Sequence, residues 1–320
     1  MTKPIALSDN FFCQLNDIGV IAITGEQASS YIQGQVTSNV TRLKENSAQR
    51  TSHCDFKGKM WSNGILLPIL NGFHYVCERG ALSSSLRELK KYGVFSKVSI
   101  EDVSDSLQFW GVCGADAGQA LAQQYGTVPA SNMACNFMDN GWLINVSGDY
   151  GPRYLLASSS AQPAIEFPDN IAKMPASHWT AMNIIEGIAL VSEQTSNEYV
   201  PQMLNLHVLD AIDFKKGCYM GQEVVARTRY LGKNKRATYL LIGKSEHADS
   251  INIQPGDMLE KAVGDNWRRG GTVLNVASVG NEIALLAVLS NDSTIGETLR
   301  LKASPEDKLT ITSLPYAVEN

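Results

Sequence analysis

Lys216-Gly217-Cys218-Tyr219-Met220-Gly221-Gln222-Glu223 places one thiol between two glycines, directly ahead of a helix-start signature. Gly217 and Gly221 predict turn backbone that excludes side chains. The run Gln222-Glu223-Val224-Val225-Ala226-Arg227 reads as a helix, with Glu223 in the first turn where a negative charge suits the helix dipole. Cys218 therefore precedes a helix N-terminus and stands beside Lys215 and Lys216, two influences that favour thiolate chemistry. Cys218 is the candidate reactive centre. A sulfur atom, iron and a one-carbon fragment are all candidates for what it holds, because a thiolate suits nucleophilic and soft-metal chemistry alike. One cysteine does not enclose a cluster, and no spacing in the chain supplies the other ligands.

A chain of 320 residues exceeds one small core and predicts two or three domains. Its 44% hydrophobic and 18% charged residues are ordinary for a globular protein. The apolar run Ile283–Leu289 is far too short to span a bilayer, and Met1–Asn10 lacks a basic-then-apolar leader pattern, so a cytoplasmic protein without a membrane partner is expected. The cysteines at 13, 54, 77, 113, 135 and 218 form no C-x-x-C pair, which argues against disulfides and zinc; all but Cys218 read as packing residues. The net charge of −5 provides no global attraction to DNA or RNA phosphates. Locally, Lys215, Lys216, Arg227, Arg229, Lys233, Lys235 and Arg236 crowd together, as a solvated face or as a socket for an anion.

Ile18–Thr24 alternates like a strand, Gly25 breaks it, and Glu26–Ile32 reads as a short helix. Asp55 and Gly58 predict a hairpin turn. Leu82, Leu86 and Leu89 give helical spacing ending near Gly93; Leu107–Val112 reads as extended and Ala115–Gln124 as helical. Prolines and serines between Ala157 and Pro175 predict a loop, after which Ser177 is the natural N-cap of a helix carrying Trp179, Met182, Ile185 and Glu186. Beyond Arg236, the β-rich runs Ala237–Gly243, Thr272–Val276, Glu282–Ser290 and Leu299–Lys302 predict a compact antiparallel barrel. The fold class is α+β.

With those residues in place, the chain closely resembles the bacterial YgfZ proteins, within the wider group of folate-binding aminomethyltransferase-like folds. The resemblance rests on four blocks: Lys216–Glu223, Gln33–Thr37, His53-Cys54-Asp55 with Gly58–Asn63, and Pro201-Gln202 with Asn205-Leu206. It implies three domains in a ring around a central channel holding tetrahydrofolate or a one-carbon derivative. Residues 1–50 with 175–235 would form the folate-binding domain, 51–174 a second α+β domain, and 236–320 the barrel. It implies a role in maintaining iron–sulfur proteins, including the tRNA-methylthiolating enzymes, and so an indirect link to tRNA modification.

The resemblance also assigns residues. Cys218 would be the reactive thiol and Trp179 a folate-stacking wall; Glu186 would stand near the pterin, although the glutamate expected there aligns with Ile185. Arg227, Arg229 and Arg236 would meet the folate carboxylates, where a bidentate guanidinium pairs well, and Tyr219 is a further candidate contact. Two departures matter. The aspartate of true aminomethyltransferases aligns with Ser62-Asn63, which cannot serve as a carboxylate acid or base. A second tryptophan is replaced by Ile18, which removes stacking worth on the order of 1 kcal/mol. The rival readings are a working one-carbon transferase and a direct RNA-binding module built on Arg227–Arg236.

Overall fold

The computed structural model describes residues 2–162, 165–230, 232, 234–245 and 253–318. Lys233 of the basic cluster lies outside them. The chain opens with strands β1 (Phe11–Leu15) and β2 (Ile18–Thr24) and a short helix α1 (Ala28–Gln33). Strands β3 (Gln49–Cys54), β4 (Met60–Ile69) and β5 (Gly72–Glu78) follow, then helix α2 (Arg79–Gly93) and β6 (Ser99–Asp102). These build a five-stranded sheet in the order β3-β4-β5-β2-β6.

Alternation along its strands assigns each face. Ile21, Ile23, Leu66 and Tyr75 join Leu82 and Leu89 of α2 in one core, whereas Val20, Leu67 and Val76 belong to the core that runs through the molecular centre. The carboxylate of Glu78 caps α2 by accepting the Ala81 N–H at 2.9 Å. The Asp55–Gly58 turn forms as the sequence predicts: Asp55 Oδ1 accepts the N–H groups of Lys57 and Lys59, and Gly58 adopts φ +73°.

A second, six-stranded sheet contains β7 (Leu107–Cys113), β8 (Cys135–Met138), β9 (Gly141–Asn145), β10 (Arg153–Ser159) and β11 (Ala172–Lys173), in the order β11-β1-β7-β10-β9-β8. Helix α3 (Ala115–Tyr125) covers its outer face through Ala117 and Leu121. Of the stretch expected to be loop, Ser158 and Ser159 finish β10 instead, because they pair with Gln108 and Leu107, and Ser160 begins the turn. The boundary expected at residue 50 falls inside β3. The two sheets exchange chain near residue 105, while β1 pairs with β7 across the gap.

Helix α4 (Ala176–Ile185) starts two residues earlier than expected. Pro175, at φ −60°, takes the N-cap position and Ser177 falls inside the first turn, because a proline with preset φ replaces side-chain capping. Helix α5 (Gln222–Tyr230) begins where the motif predicts, with Glu223 in its first turn.

The last domain is a closed barrel of β12 (Arg236–Lys244), β13 (Met258–Val263), β14 (Asn266–Val279), β15 (Glu282–Ser290), β16 (Thr298–Leu301) and β17 (Lys308–Thr312). The sequence reading lacks β13 and β17, whose short, charge-bearing runs gain strand character through pairing, β13 with β14 and β16, and β17 with β12 and β16. Alternate residues such as Leu241, Val273, Leu285 and Ile311 fill the interior. The architecture is α+β with three bodies around one centre, and the central core draws residues from both sheets, α4 and the barrel.

Candidate functional site

A cavity of about 140 Å³ opens where the three bodies meet. Its wall takes Ile18, Asn63, Ile65 and Val76 from the first sheet, Val146 and Leu155 from the second body, and Trp179, Thr180 and Asn183 from α4; the segment 206–211 and Asn275 of the barrel complete it. The polar lining residues are Asp17, Arg50, Thr51, Glu78, Thr180 and the three asparagines.

Two of those asparagines hold the segment between α4 and the barrel. Asn63 Nδ2 donates to Ala189 O and its Oδ1 accepts the Val191 N–H, both at 2.8 Å. From the other side, Asn275 Nδ2 donates to Leu190 O at 3.0 Å and its Oδ1 accepts the Leu190 N–H at 2.9 Å. Each carboxamide thus stands in for a neighbouring strand, satisfying backbone groups that would otherwise be buried unpaired. Of the pair Ser62-Asn63, Asn63 is therefore a neutral amide whose two polar ends are already engaged. Ser62 points the other way, into a buried chain in which it bonds Tyr75 Oη and Ser85 Oγ, the latter also 2.6 Å from His53 Nδ1.

Trp179 is 6% exposed and lines the cavity. Gly111 of β7 has no side chain because the indole ring occupies that space. The Arg153 guanidinium lies 4.4 Å from the ring centroid, in cation–π contact. Arg153 is fully buried; its Nη2 donates to Asn183 Oδ1 at 2.6 Å, while Nε and Nη1 have no hydrogen-bond partner among the described residues.

The other predicted site residues stand apart from this wall. Glu186 is buried, and its carboxylate accepts the N–H groups of Asp149 and Tyr150 at 3.1 and 3.0 Å, holding the 148–150 turn rather than lining the cavity. Arg227, Arg229 and Arg236 are exposed and absent from the wall. Arg227 pairs with Glu223 at 3.5 Å and Arg229 stacks 4.4 Å over Phe214. Sequence reading missed Asp17, Arg50, Asn183 and Arg153. The available signal was weak: the β3 run Gln49-Arg50-Thr51-Ser52 is polar on both faces, although a strand of a packed sheet ordinarily has one apolar face.

Cys218 lies on the surface, and the other five cysteines are buried free thiols. Burial pushes Cys13 up to about 12, Cys113 and Cys135 up to about 11, and Cys54 and Cys77 higher still. The loop carrying Cys218 is fixed on both sides. Lys216, expected beside the thiol, is turned inward: its ammonium donates to the carbonyls of Gln33, Val36 and Ser38 at 2.6, 2.7 and 2.8 Å and lies 5.0 Å from the buried Tyr219 ring. Burial pulls its pKa down to about 8, so at neutral pH it keeps all three N–H donors, one for each carbonyl. Met220 N–H donates to Gly34 O at 3.0 Å.

Gly221, at φ +81°, sits against the Asp55 carbonyl and Gly58, where a side chain has no room. Gly217 faces open space and needs no such conformation. Three sequence blocks, 33–37, 53–63 and 216–223, therefore meet at the loop that carries the exposed Cys218. The fourth block holds the barrel and α5, since Asn205 donates to Thr238 O of β12 at 2.8 Å and Gln202 to Val225 O of α5 at 2.6 Å.

Comparison with known proteins matches this arrangement. Residues 234–304 match the family description "YgfZ, beta-barrel domain". A protein of Colwellia psychrerythraea named tRNA-modifying protein YgfZ is 35% identical over 314 residues, covering 98% of this chain and 95% of its own. Proteins of the same name from Pectobacterium carotovorum and Cronobacter sakazakii are 36% and 37% identical, covering 95% of this chain and 91% and 92% of theirs. The solved glycine cleavage system aminomethyltransferase T of Bartonella henselae superposes with a TM-score of 0.73 at 13% identity, over 98% of this chain and 87% of that one, so the two share a fold. Identity of this order over nearly the full length of both chains shows that the protein belongs to the YgfZ family.

Proposed function

We propose that this protein binds tetrahydrofolate or a one-carbon derivative in the interdomain cavity, and that it supports the assembly or repair of iron–sulfur enzymes, among them those that methylthiolate tRNA. Cys218 acts as its reactive thiol. The observation that carries the reading is the cavity: a mostly apolar chamber, walled by an indole and furnished with a few polar groups, at the junction of three bodies. That is the usual character of a site for a flat heterocycle. The fold shared with an aminomethyltransferase and the names of the relatives support the same reading.

The engaged amide of Asn63 speaks against a working transferase, because no carboxylate stands there to move a proton. The exposed thiol supports exchange with a protein partner, since Cys218 is open to solvent and apart from the cavity wall. Tetrahydrofolate titrated into the protein is expected to quench tryptophan fluorescence, and Trp179→Ala to abolish most of that signal. No quenching removes the folate half of the reading. The thiol half fails if Cys218→Ala fully restores tRNA methylthiolation in a strain lacking the gene.

A further inference from the structure

We propose that the cavity is polarised, with Arg50 receiving a carboxylate at one end and Asp17 receiving the donor-rich amidine edge of a pterin at the other. This rests on the folate reading above and deepens it. The first sheet forms the floor of the cavity and fixes the separation of the two ends. Arg50 of β3 is opposite Ile65 of β4, Ile65 opposite Val76 of β5, and Val76 opposite Val20 of β2, so these four share one face. Asp17 precedes Val20 by three residues. Three strand spacings and three residues of rise put the two Cα atoms roughly 17 Å apart. That separation exceeds a bicyclic ring and suits a ring joined to an aminobenzoyl-glutamate tail.

Both ends have unused bonding capacity. No hydrogen-bond or ion-pair partner for the Arg50 side chain is found among the described residues, although the group is half-buried and lines the cavity. Behind the wall, Arg153 has two further nitrogens without partners, so two guanidiniums adjoin this end. Burial lowers the Arg50 pKa first, Arg153 adds to it, and Glu186, Asp210 and Tyr316 oppose it. Glu186 is already held by backbone N–H groups and forms no ion pair with either arginine among the described residues. An entering carboxylate would offset the unbalanced charge and take two parallel N–H donors.

At the other end, Glu78 is committed to capping α2, which leaves Asp17 as the available carboxylate. Desolvation raises the Asp17 pKa even though its side chain remains open. A cyclic amidine presents two N–H donors that match a carboxylate, as a guanidinium does. Arg227, Arg229 and Arg236, away from the wall, are not needed for the tail.

The test uses two probes on the full chain: tetrahydrofolate, and tetrahydrobiopterin, which has the same ring without a carboxylate. Arg50→Gln is expected to weaken tetrahydrofolate about tenfold or more and to leave tetrahydrobiopterin unchanged. Arg50→Lys, keeping charge but losing the fork, should fall between. Asp17→Asn is expected to weaken both probes by a similar factor. If Arg50→Gln changes neither affinity, or lowers both equally while its thermal unfolding matches wild type, the orientation is wrong and the folate reading survives. Wild-type protein that binds neither probe overturns both.

Discussion

Lys216 Nζ lies 2.7 Å from the carbonyl oxygen of Val36, and this contact ties the Cys218 loop to the turn after α1. The two other carbonyls around the ammonium, those of Gln33 and Ser38, lie on the same turn. Lys216→Met keeps the stem and removes three donors, leaving buried carbonyls unsatisfied. It should cost about 2–4 kcal/mol in urea unfolding. Hydrogen exchange at Met220, whose N–H donates to Gly34, should accelerate in the same variant.

Thiol labelling should separate one cysteine from five. Under native conditions iodoacetamide is expected to add a single carbamidomethyl group, mapped by mass spectrometry to Cys218, and six groups in denaturant. The reason is access together with the raised pKa values of the buried thiols. Rapid native modification at Cys54 or Cys77 would contradict the packing described.

Gly221→Ala forces a left-handed conformation on alanine and drives its methyl group into the Asp55 carbonyl. Destabilisation of about 2 kcal/mol or more is expected by thermal melting. Gly217→Ala, with open space and no such φ, should change stability by less than about 1 kcal/mol.

Asn63→Asp introduces a carboxylate at the Ser62-Asn63 pair, yet an ionised aspartate cannot donate to Ala189 O. It should lose about 1–3 kcal/mol of stability. Methylene-tetrahydrofolate formation from an amine donor should stay at background, because the group is positioned to bind backbone. Appreciable transferase activity in this variant would show that the amide alone silences the chemistry.

Acid should destabilise the protein through His53. Full burial lowers its pKa from 6.5 to about 3, while the unfolded chain titrates near the ordinary value. Between those values the unfolded state binds more protons, so the stability contribution is complete above pH 6.5 and is lost as pH falls toward 3. Urea unfolding at pH 4.5 should be weaker than at pH 7 by about 2–3 kcal/mol from this residue. His53→Gln should flatten that slope.

Local chemistry made much of this molecule legible. The start of α5 after Gly221, the Asp55–Gly58 turn and the β-rich runs of β2, β12 and β15 depend on neighbours within a few residues. The four blocks shared with YgfZ proteins identified the family because they are short and contiguous. Two barrel strands and the start of α4 were not legible, since pairing partners and a proline at the cap decided them.

By itself the sequence determined that one thiol sits in a glycine-bordered turn before a helix, and that a β-rich domain closes the chain. Only tertiary structure decided which polar groups face the cavity. Lys216 turned inward, Arg227, Arg229 and Arg236 outward, and Arg50, Asp17 and Trp179 came to one chamber from positions far apart in the chain. The physical reason is that the face of a strand residue and the approach of another domain follow from sheet register and docking. Those are set by distant pairings, and a single-residue shift in any of them would send the same side chain to the opposite face.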